Sequence, residues 1–275
     1  MVDTTAENAE DVAEVRRNGR GGSPAGRTVF FIRGRPEARM NLSFDSFVLA
    51  APTAELGDEP AAREHADAVE FRMDLASDPL DALAAYDGRL PLVATDRPTW
   101  EGGEADPGPG RVDALHEAVG HDAVGAVDVE LAALEGDGTG DAADPAAVRT
   151  LVEQARETDT AVVVSTHDFE GTPGRDRLRE SLASAGEHGD VAKLAVTAEG
   201  PDDVLALLSA TWTATAAGET VATMAMGEAG RHSRAVAPLY GSRVGYAPVD
   251  PADATAPGQY DLATLSDLVE RLTGR

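Results

Sequence analysis

The sequence predicts a single closed (β/α)8 barrel, an α/β fold of the TIM-barrel kind, on three observations. Eight short runs rich in Val, Leu and Ala recur beyond Met40. Amphipathic segments of helical period separate them, the alternation that builds a parallel sheet with helices between its strands. Together they fill residues 40–275, close to the ~250 residues of one barrel, and no GxGxxG turn follows the first run to suggest a dinucleotide-binding open sheet.

The runs begin near Ser46 (SFVLAA), Val69 (VEFRMD), Leu90 (LPLVAT), Val124 (VGAVDVEL), Ala161 (AVVVST), Val191 (VAKLAV), Thr220 (TVATMAM) and Ser242 (SRVGYAP). Helix starts are marked by Asp78-Pro79, Asp144-Pro145 and Gly200-Pro201, because a proline in the first turn has no amide hydrogen left unpaired. The segment 144–156 places Val148, Leu151, Val152 and Ala155 on one helical face. The last segment, from Asp261, does the same with Leu262, Leu265, Leu268, Val269 and Leu272.

Charge divides the chain. Residues 1–39 carry 7 Arg against 6 Asp plus Glu, while residues 40–275 carry 16 basic and 43 acidic residues. We read residues 1–39 as lying outside the folded domain, either as a disordered extension or because the true start is Met40, and 40–275 as the barrel. A formal charge of -26 disfavours nucleic acid and anionic membranes as partners. An acidic, lysine-poor chain with 42 % hydrophobic residues suits a folded protein from a high-salt cytoplasm. The absence of cysteine excludes disulfides, thiolate catalysis and Cys-ligated metals. No apolar run reaches the ~18 residues of a membrane span, and no export signal is recognisable, so a cytoplasmic location is expected.

The strand faces carry the chemistry. Both faces of a barrel strand are buried, so polar residues at period two mark an interior that does more than pack. In the second run Glu70, Arg72 and Asp74 oppose Val69, Phe71 and Met73; in the fourth, Ala126, Asp128 and Glu130 oppose Val127, Val129 and Leu131. In the sixth, Lys193 shares a face with Val191 and Ala195, and His167 follows the fifth run at the end where barrel enzymes keep their active sites. Lys193 is the only lysine beside 22 arginines. Unlike a guanidinium, a desolvated lysine can become a neutral amine that attacks a carbonyl, which points to a Schiff-base enzyme. The structural alternative is a lysine whose ammonium snorkels out of a buried strand. Glu70 with Arg72, or Asp128 with an arginine, reads as an interior ion-pair network, and for Asp74 and Asp128 taken alone that is the reading adopted. His65, His116, His121, His188 and His232 lack metal-ligand spacing and receive no role.

These residues fall into a family pattern. Glu70-Phe71-Arg72-Met73-Asp74, Thr95-Asp96-Arg97 with Glu101-Gly102-Gly103, Asp128-Val129-Glu130-Leu131, Ser165-Thr166-His167-Asp168-Phe169, Lys193-Leu194-Ala195-Val196, Met226-Gly227 with Ser233-Arg234, and Ala256-Pro257-Gly258-Gln259 stand in order. From about Ser46 to Gln259 the chain resembles the type I 3-dehydroquinate dehydratases of the shikimate pathway. The resemblance implies a hydro-lyase of aromatic amino acid biosynthesis with a small-molecule substrate, no cofactor and no metal; the sequence leaves the oligomeric state open, with a homodimer as one assembly. Lys193 would form an imine with the C3 ketone, and His167 would remove the C2 proton and help the C1 hydroxyl leave. Glu101 would orient that histidine. Arg234 with Gln259 would hold the substrate carboxylate, and Glu70, Arg72 and Arg97 would bind its hydroxyls and position the ring. Thr255 replaces a serine common in the family and keeps a hydroxyl that can donate to a carboxylate. Apolar neighbours and arginine charge are expected to lower the Lys193 pKa, and the stretch 227–234 is the expected lid.

Other readings compete. An aldolase would share the lysine imine, but the loop from Tyr246 to Gln259 lacks a Gly-rich phosphate cradle. A metal-dependent barrel would use Glu70, Asp128, Glu130 and His167 as ligands and leave Lys193 unexplained. A silent scaffold barrel would tolerate Lys193→Arg.

Overall fold

The computed structural model describes residues 39–136 and 144–274. Of the expected N-terminal extension only Arg39 is described; the rest lies outside these residues. Arg39 Nη2 donates to the Val119 carbonyl at 2.7 Å, to the Val124 carbonyl at 3.1 Å and to Thr160 Oγ1.

Strand and helix alternate as expected. The first half runs β1 (Val48–Thr53), α1 (Glu59–Ala62), β2 (Ala68–Arg72), α2 (Pro79–Ala84), β3 (Leu92–Thr95), α3 (Pro109–Val119), β4 (Val124–Glu130) and α4 (Leu131–Glu135). The second half runs α5 (Pro145–Glu157), β5 (Ala161–Asp168), α6 (Arg175–His188), β6 (Val191–Thr197), α7 (Pro201–Ala216), β7 (Val221–Met226), α8 (Gly227–Gly230), α9 (Ser233–Val236), β8 (Val244–Tyr246) and α10 (Leu262–Thr273). All strand pairs are parallel, in the order β7-β6-β5-β4-β3-β2-β1-β8. A bridge between Val221 and Ser242, with Arg243 N–H donating to the Val221 carbonyl at 2.7 Å, draws β7 and β8 together.

The Pro-marked helices start where the dipeptides place them, at Pro79, Pro145 and Pro201. Asp144 and Asp261 cap their helices by accepting from Ala146 N and Thr264 N, each at 2.9 Å, contacts of the kind that stabilise a helix by ~1 kcal/mol. Val148, Leu151, Val152 and Ala155 of α5 are buried; on α10 Leu262, Leu265 and Val269 are buried and Leu272 is exposed.

Apolar packing falls into two main layers. Val69, Phe71, Val127, Val129, Ala192, Leu194 and Val196 face outward against the helices, each large side chain contributing roughly 1.5–3 kcal/mol by its burial. Phe44, Val48, Ala68, Val93, Ala126, Val163, Val191 and Ala222 fill the lower barrel interior. One or two inward positions further along the strands, the interior turns polar: Glu70, Arg72, Thr95, Asp128, Glu130, Ser165 and Lys193 are all buried. The fold thus sets a charged floor beneath the C-terminal mouth of the barrel.

Candidate active site

Strand register assembles the centre of that floor. Ser165 lies across from Glu130 on one side and Lys193 on the other, and Thr95 pairs with Asp128. Lys193 Nζ donates to Asp128 Oδ2 at 2.8 Å, lies 3.6 Å from Glu70 Oε1 and sits 4.4 Å above the centre of the Tyr246 ring. Arg97 makes an ion pair with Asp128 Oδ1 at 2.7 Å and donates to Glu130 Oε1 at 2.7 Å and Ser165 Oγ at 2.6 Å. Ser165 Oγ in turn donates to Asp128 Oδ1 at 2.7 Å. Arg111 Nη1 approaches the other Glu130 oxygen at 2.9 Å, a charge contact without hydrogen-bond geometry.

This network corrects the expected state of Lys193. Burial does disfavour the ammonium, but the Asp128 carboxylate, with Glu70 and Tyr246 behind it, more than offsets that, and the Lys193 pKa is raised. Two unit charges at this separation attract by roughly 4–6 kcal/mol at an effective dielectric near 20, comparable with the several kcal/mol of ion desolvation. Arg97 and Lys193 hold the Asp128 pKa well below the carboxylate range despite complete burial. The resting site therefore contains an ammonium and a carboxylate.

A second unit spans the mouth. His167, at the end of β5, hydrogen-bonds through Nδ1 to Glu101 Oε2 at 2.5 Å. Glu101 ends a 3-10 turn, Thr99–Glu101, which closes on Gly102 at φ 79. A Cβ on Gly102 would come within 2.4 Å of Phe169 Cζ, so glycine is required both for the left-handed backbone and for the ring's approach. Phe169 stacks on His167 with ring centres 5.9 Å apart. Burial pushes Glu101 up to about 8 against the Arg97 charge. Burial and the Arg97 and Lys193 charges hold His167 well below 6.5. With Glu101 ionised, Nδ1–H donates to Oε2 and the Nε2 lone pair is free to act as a base. A further proton taken up by the pair puts a hydrogen on Nε2, so base strength is tied to the titration of Glu101.

The third unit is centred on a buried cation. Arg234, on α9, is only 4 % exposed, and among the described residues the one hydrogen bond of its guanidinium is from Nη2 to the Pro257 carbonyl at 3.4 Å. Among the described residues no carboxylate pairs with it, and burial alone pulls its pKa down to about 10. Gln259 organises the facing loop: its Oε1 accepts from Thr255 N at 2.9 Å and Ala256 N at 3.2 Å, and its Nε2 donates to Thr255 Oγ1 at 3.3 Å. The segment 227–234, the expected lid, forms α8 and the start of α9 with Gly230, Ser233 and Arg234 buried. Ser233 Oγ accepts from Ala225 N at 2.9 Å, which ties it to β7.

All nine expected residues, Lys193, His167, Glu101, Glu70, Arg72, Arg97, Arg234, Thr255 and Gln259, border one cleft with about 550 Å³ of empty space. Arg72 pairs with Asp74 at 2.8 and 2.6 Å, where Glu70 was the expected partner. Glu70 accepts from Thr95 Oγ1 at 3.1 Å. Among the described residues no group of three or more His, Cys, Asp or Glu is arranged to hold a metal ion, since Glu70, Asp128 and Glu130 are turned to Lys193 and Arg97. A family model described as type I 3-dehydroquinase matches residues 49–274.

The chain belongs to the type I 3-dehydroquinase family.

Its curated relatives in this family include the 3-dehydroquinate dehydratase of Haloarcula marismortui, 62 % identical over 231 residues that span 84 % of this chain and 98 % of the relative. That of Halobacterium salinarum is 53 % identical, over 84 % of this chain and 100 % of the relative. Among solved structures, the Geobacillus kaustophilus 3-dehydroquinate dehydratase is 27 % identical with a TM-score of 0.72, covering 84 % of this chain and 92 % of that one. A Clostridium difficile type I 3-dehydroquinate dehydratase with covalent modified comenic acid is 25 % identical, also with a TM-score of 0.72, over 86 % and 97 %. The haloarchaeal relatives agree with the acidic, lysine-poor composition. Within this type I 3-dehydroquinase, Asp128 belongs to the interior ion-pair network expected of it, paired with Arg97 and with Lys193; that Lys193 is one of its partners is what sequence reasoning missed. Sequence reasoning also passed over Tyr246, whose inward position in a three-residue strand has no distinguishing pattern.

Proposed function

We propose that this barrel dehydrates 3-dehydroquinate to 3-dehydroshikimate, a hydro-lyase step of aromatic amino acid biosynthesis, through an imine on Lys193. The observation that carries this reading is the only lysine of the chain, lining the same cleft as a histidine whose Nδ1 is engaged by Glu101. Arg234 holds the substrate carboxylate, which supplies the counter-charge its guanidinium lacks. Gln259 and Thr255 shape the loop facing it, and Glu70 and Arg72 contact the ring hydroxyls. Arg97 acts chiefly through charge, holding Asp128 and Glu130 and weakening the proton affinity of His167.

The chemistry follows from the geometry. As the Lys193 ammonium passes a proton to the C3 ketone oxygen, the neutral Nζ adds to that carbon; a second N–H proton follows and water departs, leaving a protonated imine that acidifies the C2–H bond enough for imidazole to serve as base. His167 Nε2 takes that proton and returns it to the departing C1 hydroxyl, which leaves as water. Hydrolysis of the imine then restores Lys193. No cofactor is required. Among the described residues no helix is long and apolar enough to cross a membrane. We place this biosynthetic enzyme in the cytoplasm and propose a homodimer as its assembly. The reading is tested by following formation of the conjugated enone in the ultraviolet: the protein turns over 3-dehydroquinate and Lys193→Arg does not. Equal turnover by a folded Lys193→Arg variant would remove the imine.

A further inference from the structure

Asp128 meets the reacting nitrogen more closely than any other acid, and the balance of the imine step explains why that matters. A lysine ammonium and a ketone combine to give a protonated imine and one water: two of the three N–H protons leave with the carbonyl oxygen and the third stays. The nitrogen therefore carries one positive charge both before substrate binds and after the imine forms. Loss of the C2 proton moves an electron pair onto that nitrogen, and expulsion of the C1 hydroxyl restores the positive charge. A fixed anion at Nζ would favour each of the charged states.

The surroundings of Nζ single out one such anion. From β2, Glu70 stands 3.6 Å away and also accepts from Thr95. After β3, Arg97 presents a positive charge, and from β4 Glu130 is turned toward Arg97. His167 on β5 is engaged by Glu101, and Tyr246 on β8 offers a ring face. Asp128, 0 % exposed, places Oδ2 at 2.8 Å from Nζ while Arg97 and Ser165 pin Oδ1. Its orientation is set before substrate arrives, so no reorganisation accompanies the chemistry.

We propose that Asp128 is a catalytic residue of the dehydration, the counter-ion whose Oδ2 accepts the imine N–H and keeps the imine protonated. This rests on the Lys193 imine proposed above. Without Asp128 the imine loses its proton at lower pH and ceases to be an electron sink, and the second half of the reaction, where positive charge returns to nitrogen, slows.

The experiment compares the wild-type protein with Asp128→Asn for borohydride-trapped adduct on Lys193 and for kcat against pH. The underlying reading stands or falls on the wild-type adduct, independently of the variant. Given that adduct, D128N should still be trapped on Lys193, with kcat lowered about 100-fold near neutrality and the alkaline limb of kcat moved down by about 1–3 pH units. An alkaline limb left at the wild-type position, whatever the kcat, overturns the counter-ion role and makes Asp128 a structural anchor. Circular dichroism checks folding. If D128N does not fold, Asp128→Glu decides: a limb unmoved while kcat falls supports the retained charge, and a displaced limb overturns it.

Discussion

Replacing Arg234 by methionine should make the free protein more stable while disabling it. Arg234 is 4 % exposed, and among the described residues its guanidinium has no acidic partner and makes one long hydrogen bond at 3.4 Å. Its pKa falls from 12.5 to about 10 by burial alone, which corresponds to ~3 kcal/mol against the charged form. Methionine keeps the aliphatic packing. Allowing for the lost contact to Pro257, a net gain of roughly 1–2 kcal/mol remains, or a Tm increase of about 2–8 °C for a domain of this size. The sign with pH follows from the direction of the shift. A folded value below the unfolded one leaves the penalty complete below about 10; above it the unfolded chain binds more protons and the penalty fades, so the advantage of methionine shrinks there. Substrate binding should suffer oppositely, with KM rising by roughly 10²-fold for the loss of charge-assisted hydrogen bonds to the carboxylate. Thermal scans in molar salt and steady-state kinetics read both effects. A Tm several degrees below wild type would refute the reasoning and make Arg234 a structural residue.

The His167–Glu101 pair should govern the acidic limb of kcat/KM. Since Glu101 titrates at about 8, the free enzyme should gain activity through that region as Nε2 is vacated, and Glu101→Gln should move the limb to lower pH while reducing kcat by about 10–100-fold. An unmoved limb in E101Q would place that ionisation elsewhere. Gly102→Ala should cost ~1–2 kcal/mol, because the residue sits at φ 79 and its Cβ would strike Phe169. It should also lower kcat by displacing the ring stacked on His167; an unchanged Tm and kcat would mean that the turn tolerates a side chain.

The barrel was legible because its signals are local and repeated. Strands such as β2 and β4 alternate outward Val or Phe with inward polar residues toward their C-terminal ends, and Asp-Pro or Gly-Pro pairs mark helix starts that the structure keeps at Pro79, Pro145 and Pro201. Glu70, Arg72, His167 and Lys193 were legible as polar types on strand faces or at a strand end, whereas Arg97, Glu101, Arg234, Thr255 and Gln259 stood out only through the family resemblance; all nine border one cleft. What the sequence left hidden is pairwise. The protonation of Lys193 depends on whether Asp128 or Arg97 is nearer, a matter of barrel register over 65 residues of separation. Local apolar neighbours pointed toward a neutral amine and long-range pairing prevailed. Likewise the glycines at 227 and 230 suggested mobility, whereas Gly230 lies where a Cβ would come within 2.7 Å of Ala225 and so marks close packing on β7. Glycine in sequence does not distinguish a hinge from a tight contact.

The central claim is that Lys193 carries the substrate as an imine. Incubating the protein in high salt with 3-dehydroquinate and borohydride, followed by peptide mapping, tests it most directly. The account predicts a reduced adduct on the peptide containing Lys193, accompanied without borohydride by ultraviolet absorbance from the conjugated product. A folded protein that acquires no adduct there would contradict it.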